Sequence, residues 1–273
     1  MNLGLFKNIN NAWSTVADKV LSVGDQINGT HEISNVSFEI SDIEQNVLTV
    51  RDNFALHYYL GEMIWYASGA NDVSFISKYG KIWNILSDDG ITNNSAYGYI
   101  LKYKHGFDQV DKVIELLKKD KNSRRAVINI NIPNKDVIET KDEMCTIALQ
   151  FLLRHGKLNA TGIMRSNDMY TGTPYDIYYF TEIQKYIANA LDVDYGTYTH
   201  FVTSMHIYDR DISKISKSIE NNLNMVYARV HIDGQILLEK GPEMYKKLED
   251  VPRKYIKRKT LELAREYKIV EEY

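Results

Sequence analysis

Residues 146–166, TIALQFLLRHGKLNATGIMRS, alternate in polarity on either side of His155-Gly156-Lys157. Two such runs joined by a short turn that contains glycine predict a β-hairpin. The preceding segment RRAVININI also alternates strictly, with Ala126, Ile128, Ile130 and Ile132 on one side, and EISNVSFEI alternates near the N-terminus. These segments predict the strands of a β-sheet.

Helical periodicity separates these strands. It runs from Ile9 to Val20, where Gly24 is expected to end the helix, and from Asn53 to Ala67. DQVDKVIELLKK and YYFTEIQKYIANAL have the same period, and the charged tail DVPRKYIKRKTLELAREYK predicts an exposed helix. Because strands and helices mix without a regular βαβ alternation, we expect an α+β fold. The absence of repeats and linkers favours a single domain over residues 1–273.

Composition excludes several classes of protein. Hydrophobic content of 44% and a net charge of −3 are typical of a globular protein and predict no direct DNA binding. The chain has one cysteine, which rules out an internal disulfide and a cysteine-cluster metal site, and we expect no metal. The N-terminus lacks a secretion signal and no apolar run is long enough to span a membrane, so we expect a cytoplasmic protein.

The single cysteine, Cys145, begins the first strand of the predicted hairpin. Free cysteine is often a buried core residue, and it is also a nucleophile, so both interpretations stand at this point. Arg124 and Arg125 precede it and Arg165 follows it, near the ends of predicted strands. Guanidinium groups match phosphate oxygens, and Ser166 adds a hydroxyl donor beside Arg165, so these residues indicate a phosphate site.

The stretch EMCTIALQFLLRHGKLNATGIMRSNDMYTGTPYDIYYF resembles the active-site core of thymidylate synthases and of the related pyrimidine-nucleotide hydroxymethylases. Further segments match in the same order: GEMIWYASG, YGKIWNILSDDG, AYGY, NSRRAVI and SMHIYDRD. The resemblance runs from about residue 30 to about residue 210. It implies a thymidylate-synthase-like mixed sheet packed with helices, and an obligate homodimer formed through the sheet.

The resemblance also implies a chemistry. Cys145 would add as a thiolate to C6 of a pyrimidine nucleotide, and the activated C5 would attack the one-carbon unit of 5,10-methylenetetrahydrofolate. Arg165 would hold the thiol ionised as well as bind phosphate.

The remaining candidate residues are assigned by the same resemblance. Arg124 and Arg125 would reach across from one subunit to contact the phosphate bound in the other. Water and proton transfers would be organised by Glu62, Tyr97 and Asn84, and the sugar hydroxyl would be held by His206 and Tyr208. The folate side would be lined by Trp83 with Asn84, and the nucleotide and folate pocket would be supported by Gln150, Ser166, Asn167 and Asp168. A basic phosphate contact near the N-terminus is usual in the family. The corresponding segment GDQINGTHE has no Arg or Lys, so that contact stays unassigned.

Asp176 stands where the family normally has the Asn that reads uracil. An Asn carboxamide offers one acceptor and one donor, which match N3–H and O4 of uracil. Cytosine inverts this pattern, and a protonated Asp can donate to N3 and accept from the 4-amino group. Asp176 therefore favours cytosine, while capping of the following helix is the alternative interpretation.

Thr146 is a second departure from the synthases, which usually carry His after the cysteine. Phage deoxycytidylate hydroxymethylases share the Cys-Thr pair and the RSND segment, and in them water captures the one-carbon intermediate in place of a hydride. The tail IVEEY does not resemble the closing segment of the synthases. We therefore expect a deoxycytidylate hydroxymethylase of phage type that converts dCMP to 5-hydroxymethyl-dCMP. Alternatives are thymidylate synthesis, dUMP or CMP hydroxymethylation, and a catalytically idle nucleotide- or RNA-binding relative.

Overall fold

The structure is a computed structural model that describes residues 1–51, 54–131, 137–224 and 230–272. Its strands are β1 (Asn2–Phe6), β2 (Asp25–Ile27), β3 (Thr30–Ile40), β4 (Val127–Asn129), β5 (Thr146–Arg154), β6 (Lys157–Met164), β7 (Asn167–Asp168), β8 (Asp194–Tyr208), β9 (Val230–Ile232) and β10 (Val270–Glu272). Its α-helices are α1 (Ile9–Val23), α2 (Leu56–Ser68), α3 (Val73–Ile76), α4 (Ile82–Leu86), α5 (Tyr97–Tyr99), α6 (Gln109–Lys119), α7 (Thr173–Leu191), α8 (Ile212–Leu223), α9 (Gly234–Leu248) and α10 (Arg253–Glu266).

The main sheet is mixed and has the strand order β1-β3-β8-β6-β5-β4. The long strand β8 pairs antiparallel with β3 and parallel with β6, while β2 pairs with β3 and β7 pairs with β8. Strands β9 and β10 form a separate two-stranded sheet. Helices pack against the main sheet, so the predicted α+β class is confirmed.

The predicted hairpin is present as β5 and β6. His155 and Gly156 both have positive φ, 52° and 76°, which is the conformation that a two-residue turn between twisted strands requires. The predicted helices are also present. The helix predicted from Tyr178 begins earlier, at Thr173, where Pro174 stands in its first turn.

Two boundaries differ from the prediction. The helix predicted over 53–67 is observed as Leu56–Ser68, and Asn53 lies outside the described residues. The strand predicted over RRAVININI is regular only at Val127–Asn129. The amides of Ile130 and Asn131 both donate to the Ile147 carbonyl, because the facing strand has an irregularity there, and Ile132 is outside the described residues.

One connected hydrophobic core contains buried side chains from Ile9 near the start of the chain to Ile269 near its end. Helix α2 lies within this core and packs against α9. At the crossing, a Cβ placed on Gly241 would lie 2.4 Å from the Cβ of Ala67. The two helices therefore approach each other more closely than a second side chain would allow.

None of the helices within the described ranges is long and apolar enough to cross a bilayer.

Gly241→Ala is expected to lower the free energy of unfolding by ~1–3 kcal/mol, the usual cost of overpacking a core. In the double variant Ala67→Gly/Gly241→Ala the collision is removed, and the remaining neighbours of the new methyl lie at 3.6 Å, which is ordinary contact. The interaction free energy between positions 67 and 241 is measured by urea denaturation of the wild type, both single variants and the double variant. Additive effects in this cycle would contradict the close helix crossing.

Candidate active site

A cavity of about 660 Å³ lies where β5 begins, β6 ends and α7 begins. Most of the candidate residues predicted from the sequence line it. They are Glu62, Trp83, Tyr97, Cys145, Arg165, Ser166, Asn167, Asp168, Asp176, His206 and Tyr208.

The hairpin register brings the thiol and an arginine together. Cys145 immediately precedes β5 and Arg165 immediately follows β6, and the Arg165 amide donates to the Cys145 carbonyl over 2.9 Å. The Arg165 side chain donates to the Met144 and Glu143 carbonyls, and its Nη2 lies 3.7 Å from the Cys145 Sγ. The guanidinium is therefore fixed beside the sulfur by backbone acceptors.

The charge of Arg165 does not ionise this thiol in the cavity as described. Burial raises the pKa of Cys145 to about 11, the positive charge of Arg165 lowers it, and nearby carboxylates, first Asp176, raise it. Desolvation outweighs the single cation here. Arg165 lowers the pKa of Cys145, as expected for an arginine that would hold the thiol ionised, but in the cavity as described burial has the larger effect.

Glu62 lies on α2 with its carboxyl at the cavity wall. Burial, followed by the negative charge of Asp176, raises the pKa of Glu62 to about 8, so the group is protonated at neutral pH. The Tyr58 hydroxyl lies 3.1 Å from Glu62 Oε1 and accepts from the Trp83 indole N–H over 3.0 Å. Trp83 is thus connected to the proton-carrying Glu62 through Tyr58.

Tyr97 begins the short helix α5 and presents its hydroxyl to Thr146. The Thr146 hydroxyl donates to the Tyr97 hydroxyl oxygen over 2.9 Å, and Thr146 is fully buried. Burial, then the charge of Asp176, raises the pKa of Tyr97 well above its ordinary value. Tyr97 is therefore a neutral phenol whose orientation depends on Thr146.

Asp176 lies in the first turn of α7, where the helix dipole favours a negative charge. Burial nevertheless raises the pKa of Asp176 to about 7, although the Asn167 amide, which donates to Asp176 Oδ2 over 2.8 Å, lowers it. The carboxyl is therefore close to half-protonated at neutral pH. Helix capping does not account for Asp176, because it stands within the first turn and the cap position is occupied by Gly172.

The end of β8 supplies the other side of the cavity. The rings of His206 and Tyr208 meet edge to face with centroids 5.1 Å apart, and the Arg210 guanidinium lies 4.0 Å above the Tyr208 ring. Strand β7 pairs with β8 here, so that Asp168 faces His206 in register. Asp168 also accepts from the Tyr170 amide over 2.8 Å, which holds the 168–171 turn.

Four candidates do not line this cavity. Asn84 is exposed on α4 and does not line the cavity, although its neighbour Trp83 does. Gln150 lies on the sheet and donates to the Arg124 carbonyl over 3.1 Å. Arg124 and Arg125 are both exposed outside the cavity. The sequence had predicted that these two arginines act at a partner's site.

Several cavity residues were not found from the sequence. Tyr58 and Arg210 are two of them, and the others include Arg51, His57, Asp142 and Tyr175. Tyr58 had a signal, because it stands four residues before Glu62 and so shares a helix face with it. Arg51 had none: its guanidinium lies 4.2 Å above the Tyr170 ring and donates to the Tyr175 hydroxyl, contacts between segments far apart in the chain.

Among the described residues, no group of three or more His, Cys, Asp and Glu side chains is arranged to hold a metal ion. One wall of the cavity is aromatic and aliphatic, formed by Trp83 with Tyr58, Tyr79, Ile82 and Leu86. The Ile82 side chain is 50% exposed although it is apolar. Such a wall fits the flat faces of the ring systems of a folate.

The family model for thymidylate synthase matches residues 14–246. The chain therefore belongs to the thymidylate synthase family, which confirms the family resemblance that the sequence indicated.

Individual relatives fall into two named activities. The chain is 32% identical over 232 residues to a deoxyuridylate hydroxymethyltransferase of Bacillus phage SP01, covering 78% of this chain and 61% of the phage protein. It is 33% identical over 222 residues to a putative thymidylate synthase of Methanocaldococcus jannaschii, covering 76% of this chain and 90% of the archaeal protein. The chain thus spans less than two thirds of the phage relative.

A solved structure has the same fold. The thermostable thymidylate synthase A from Bacillus subtilis superposes with a TM-score of 0.67 at 21% identity, covering 83% of this chain and 89% of that one. The thymidylate-synthase-like fold expected from the sequence is confirmed. The finer resemblance to deoxycytidylate hydroxymethylases remains a prediction.

Glu62→Gln is expected to reduce the pH dependence of stability. Because folding raises the pKa of Glu62 from 4.5 to about 8, its contribution is fully present below pH 4.5 and is lost as the pH rises through about 8. At ~1.4 kcal/mol per pKa unit, the decline is of the order of several kcal/mol, and Gln cannot ionise. Denaturation from acidic to mildly alkaline pH measures it. Glu44→Gln, at an exposed position, controls for the loss of a surface charge. An equally steep decline in Glu62→Gln would refute the assignment.

Proposed function

We propose that this protein transfers the one-carbon unit of 5,10-methylenetetrahydrofolate to C5 of dCMP and releases 5-hydroxymethyl-dCMP. The observation that carries the choice of base is Asp176, a carboxyl with a pKa of about 7 at the position that reads the base in the family. Membership in the thymidylate synthase family supports one-carbon transfer to a pyrimidine nucleotide.

Cys145 is the proposed nucleophile. Its sulfur adds to C6 of the pyrimidine, which makes C5 electron-rich, and the bond to C6 breaks again when the product forms. In the cavity as described the thiol is neutral, since burial raises its pKa to about 11. Thiolate formation is therefore proposed to accompany nucleotide binding, with Arg165 stabilising the negative sulfur at 3.7 Å.

The proton transfers are assigned to Glu62 and Tyr97. Glu62 carries a proton at neutral pH, and so it can donate to the polar edge of the base during addition. The Tyr97 hydroxyl, oriented by Thr146, is the group proposed to position the proton that leaves C5. Folate would supply the carbon at the oxidation level of formaldehyde, and water would supply the hydroxyl oxygen once the bond from this carbon to the folate nitrogen has broken. Trp83 with its apolar neighbours forms the proposed binding wall.

The base preference follows from hydrogen-bond matching. Cytosine presents an acceptor at N3 and a donor at its 4-amino group, and an Asp176 that carries its proton on the oxygen facing N3 supplies the complementary donor and acceptor. An ionised Asp176 meets O4 of uracil without a donor, a buried mismatch of ~1–3 kcal/mol, and it matches cytosine only when N3 of the base is protonated. The phage relative that acts on deoxyuridylate by name supports the second candidate, hydroxymethylation of dUMP.

A homodimer is part of the proposal. The alternate residues Gln150 and Leu152 on β5 and Thr161 and Ile163 on β6 remain partly exposed, so one sheet face is not covered by this chain. Arg124 and Arg125 are exposed and are proposed to complete the partner's phosphate site. Mixing Arg125→Ala with Cys145→Ser should restore activity, because one hybrid site keeps both groups. A freely exchanging mixture without activity would contradict shared sites.

Product analysis tests the activity directly. The enzyme is incubated with 5,10-methylenetetrahydrofolate and either dCMP or dUMP, and the products are identified by mass spectrometry. We expect 5-hydroxymethyl-dCMP with tetrahydrofolate released, and none from Cys145→Ser. Hydroxymethyl-dUMP would support the second candidate, and thymidylate with dihydrofolate would identify a synthase.

Asp176→Asn is expected to shift the ratio of kcat/KM for dCMP over dUMP towards dUMP by tenfold or more, since one mismatched buried polar group costs ~1–3 kcal/mol. Asp142→Asn is the matched control, a second buried cavity carboxylate that accepts from the Ser95 amide over 2.9 Å. It is expected to leave the ratio unchanged. A ratio that does not move in Asp176→Asn would remove Asp176 from base recognition.

A further inference from the structure

Protonation of Asp176 does not by itself select a base. A neutral carboxyl has one donor and one acceptor oxygen, and the two bases differ only in which of them must face N3. With the proton on the oxygen that faces N3, the carboxyl matches cytosine. With the proton on the other oxygen, it matches uracil. Discrimination therefore requires that the protein fix the position of this proton.

A chain of buried polar side chains ends on one oxygen of Asp176. Asn167 Nδ2 donates to Asp176 Oδ2 over 2.8 Å. Asn167 Oδ1 in turn lies 3.0 Å from His200 Nε2, and the His200 Nδ1 lies 2.9 Å from the Tyr198 hydroxyl. Tyr198 and His200 are fully buried and Asn167 is 3% exposed, so water does not replace a member of the chain.

The orientation of the Asn167 amide sets the direction of donation along these hydrogen bonds. Burial lowers the pKa of His200 to about 3, so the ring is neutral and carries one proton. Because Asn167 Oδ1 can only accept, that proton is on Nε2, and Nδ1 accepts from the Tyr198 hydroxyl. The Thr173 hydroxyl lies 2.7 Å from Asn167 Oδ1 and 3.1 Å from the Asp168 carbonyl oxygen, and donation to Oδ1 is consistent with this orientation of the amide. Every donor thus points towards Asp176.

Two glycines make room for the chain. A Cβ on Gly162, which faces His200 on the neighbouring strand, would lie 2.3 Å from the Tyr198 hydroxyl. A Cβ on Gly172 would lie 2.9 Å from Asn167 Nδ2. The positions of Tyr198 and Asn167 in this hydrogen-bonded series therefore depend on the absence of side chains at Gly162 and Gly172.

We propose that Tyr198, His200 and Asn167 are positioning residues that keep Asp176 Oδ2 an acceptor and so place the carboxylic proton on Oδ1, the oxygen that reads N3 of the base. This inference rests on the proposed function for the identity of the base. Loss of the Tyr198 hydroxyl lets His200 move its proton to Nδ1. The Asn167 amide can then turn over and face Asp176 with its oxygen, which draws the carboxylic proton to Oδ2.

The test compares kcat/KM for dCMP and dUMP in the full-length enzyme and its variants. In Tyr198→Phe the ratio is expected to fall by about fivefold to thirtyfold, the factor that corresponds to ~1–2 kcal/mol. Tyr178→Phe is the matched control, since this fully buried hydroxyl on α7 contacts the Ile232 carbonyl at 3.5 Å and lies outside the cavity lining. It is expected to leave the ratio unchanged. His200→Gln retains a donor towards Asn167 and is expected to keep more of the ratio than His200→Leu.

A second measurement uses the wild-type protein alone, so it depends neither on the identity of the base nor on whether a variant folds. The ¹⁵N chemical shifts of His200 in the wild-type protein report its tautomer, which is expected to be Nε2–H. An Nδ1–H tautomer, or an unchanged ratio in Tyr198→Phe, would overturn the proposal. A wild-type preference for dUMP would instead refute the proposed function. In that case, an Nε2–H tautomer of His200 together with loss of the dUMP preference in Tyr198→Phe would still support the positioning role of Tyr198, His200 and Asn167.

Discussion

The antiparallel pairing of β5 with β6 is the constraint on which the site depends. Its two-residue turn at His155-Gly156 sets the register, and this register brings the Cys145 carbonyl opposite the Arg165 amide at 2.9 Å. A shift by one residue would turn each side chain to the other face of the sheet. The thiol and the guanidinium would then lie on opposite faces. The irregularity between Thr146 and Ala148 occurs next to the cysteine, as is common beside active sites.

Desolvation, more than local charge, determines the protonation of the titratable groups in the cavity. Burial raises the pKa of Cys145 to about 11, that of Glu62 to about 8 and that of Asp176 to about 7. At pH 7 the Cys145 thiol and the Glu62 carboxyl are therefore largely protonated, and Asp176 is close to half-protonated. The guanidinium groups of Arg51, Arg165 and Arg210 line the same cavity and are suited to an incoming nucleotide phosphate. The same burial makes each hydrogen bond to the base stronger once water has left.

Local pattern made most of the elements predictable. The hairpin and the helices have the periodicities of two and 3.6 residues that a single sequence displays directly, and the family motifs located Cys145 and Arg165. The end of the strand at Asn129 was not predictable, because it depends on an irregularity in the facing strand. Arg51 was not predictable either, since its aromatic partners come from a different part of the chain. The dependence of the thiol on burial was missed because sequence shows the neighbouring arginine and not the surrounding solvent.

The hydrogen-bond network on strand β8 was also not predictable from the sequence. In YTHFVTS the buried side carries Tyr198 and His200, while the aromatic Phe201 faces the more exposed side, which reverses the usual pattern of an apolar inner face. Buried polar groups destabilise the fold unless each has a hydrogen-bond partner. Here the hydrogen bonds of Tyr198 and His200 continue through Asn167 to Asp176. An Asp at position 176 is visible in the sequence, but a carboxylic acid presents either pattern of donor and acceptor. Under the proposed function, the direction of these hydrogen bonds decides which pattern the base meets, so recognition of the base would be a property of the buried network and not of residue 176 alone.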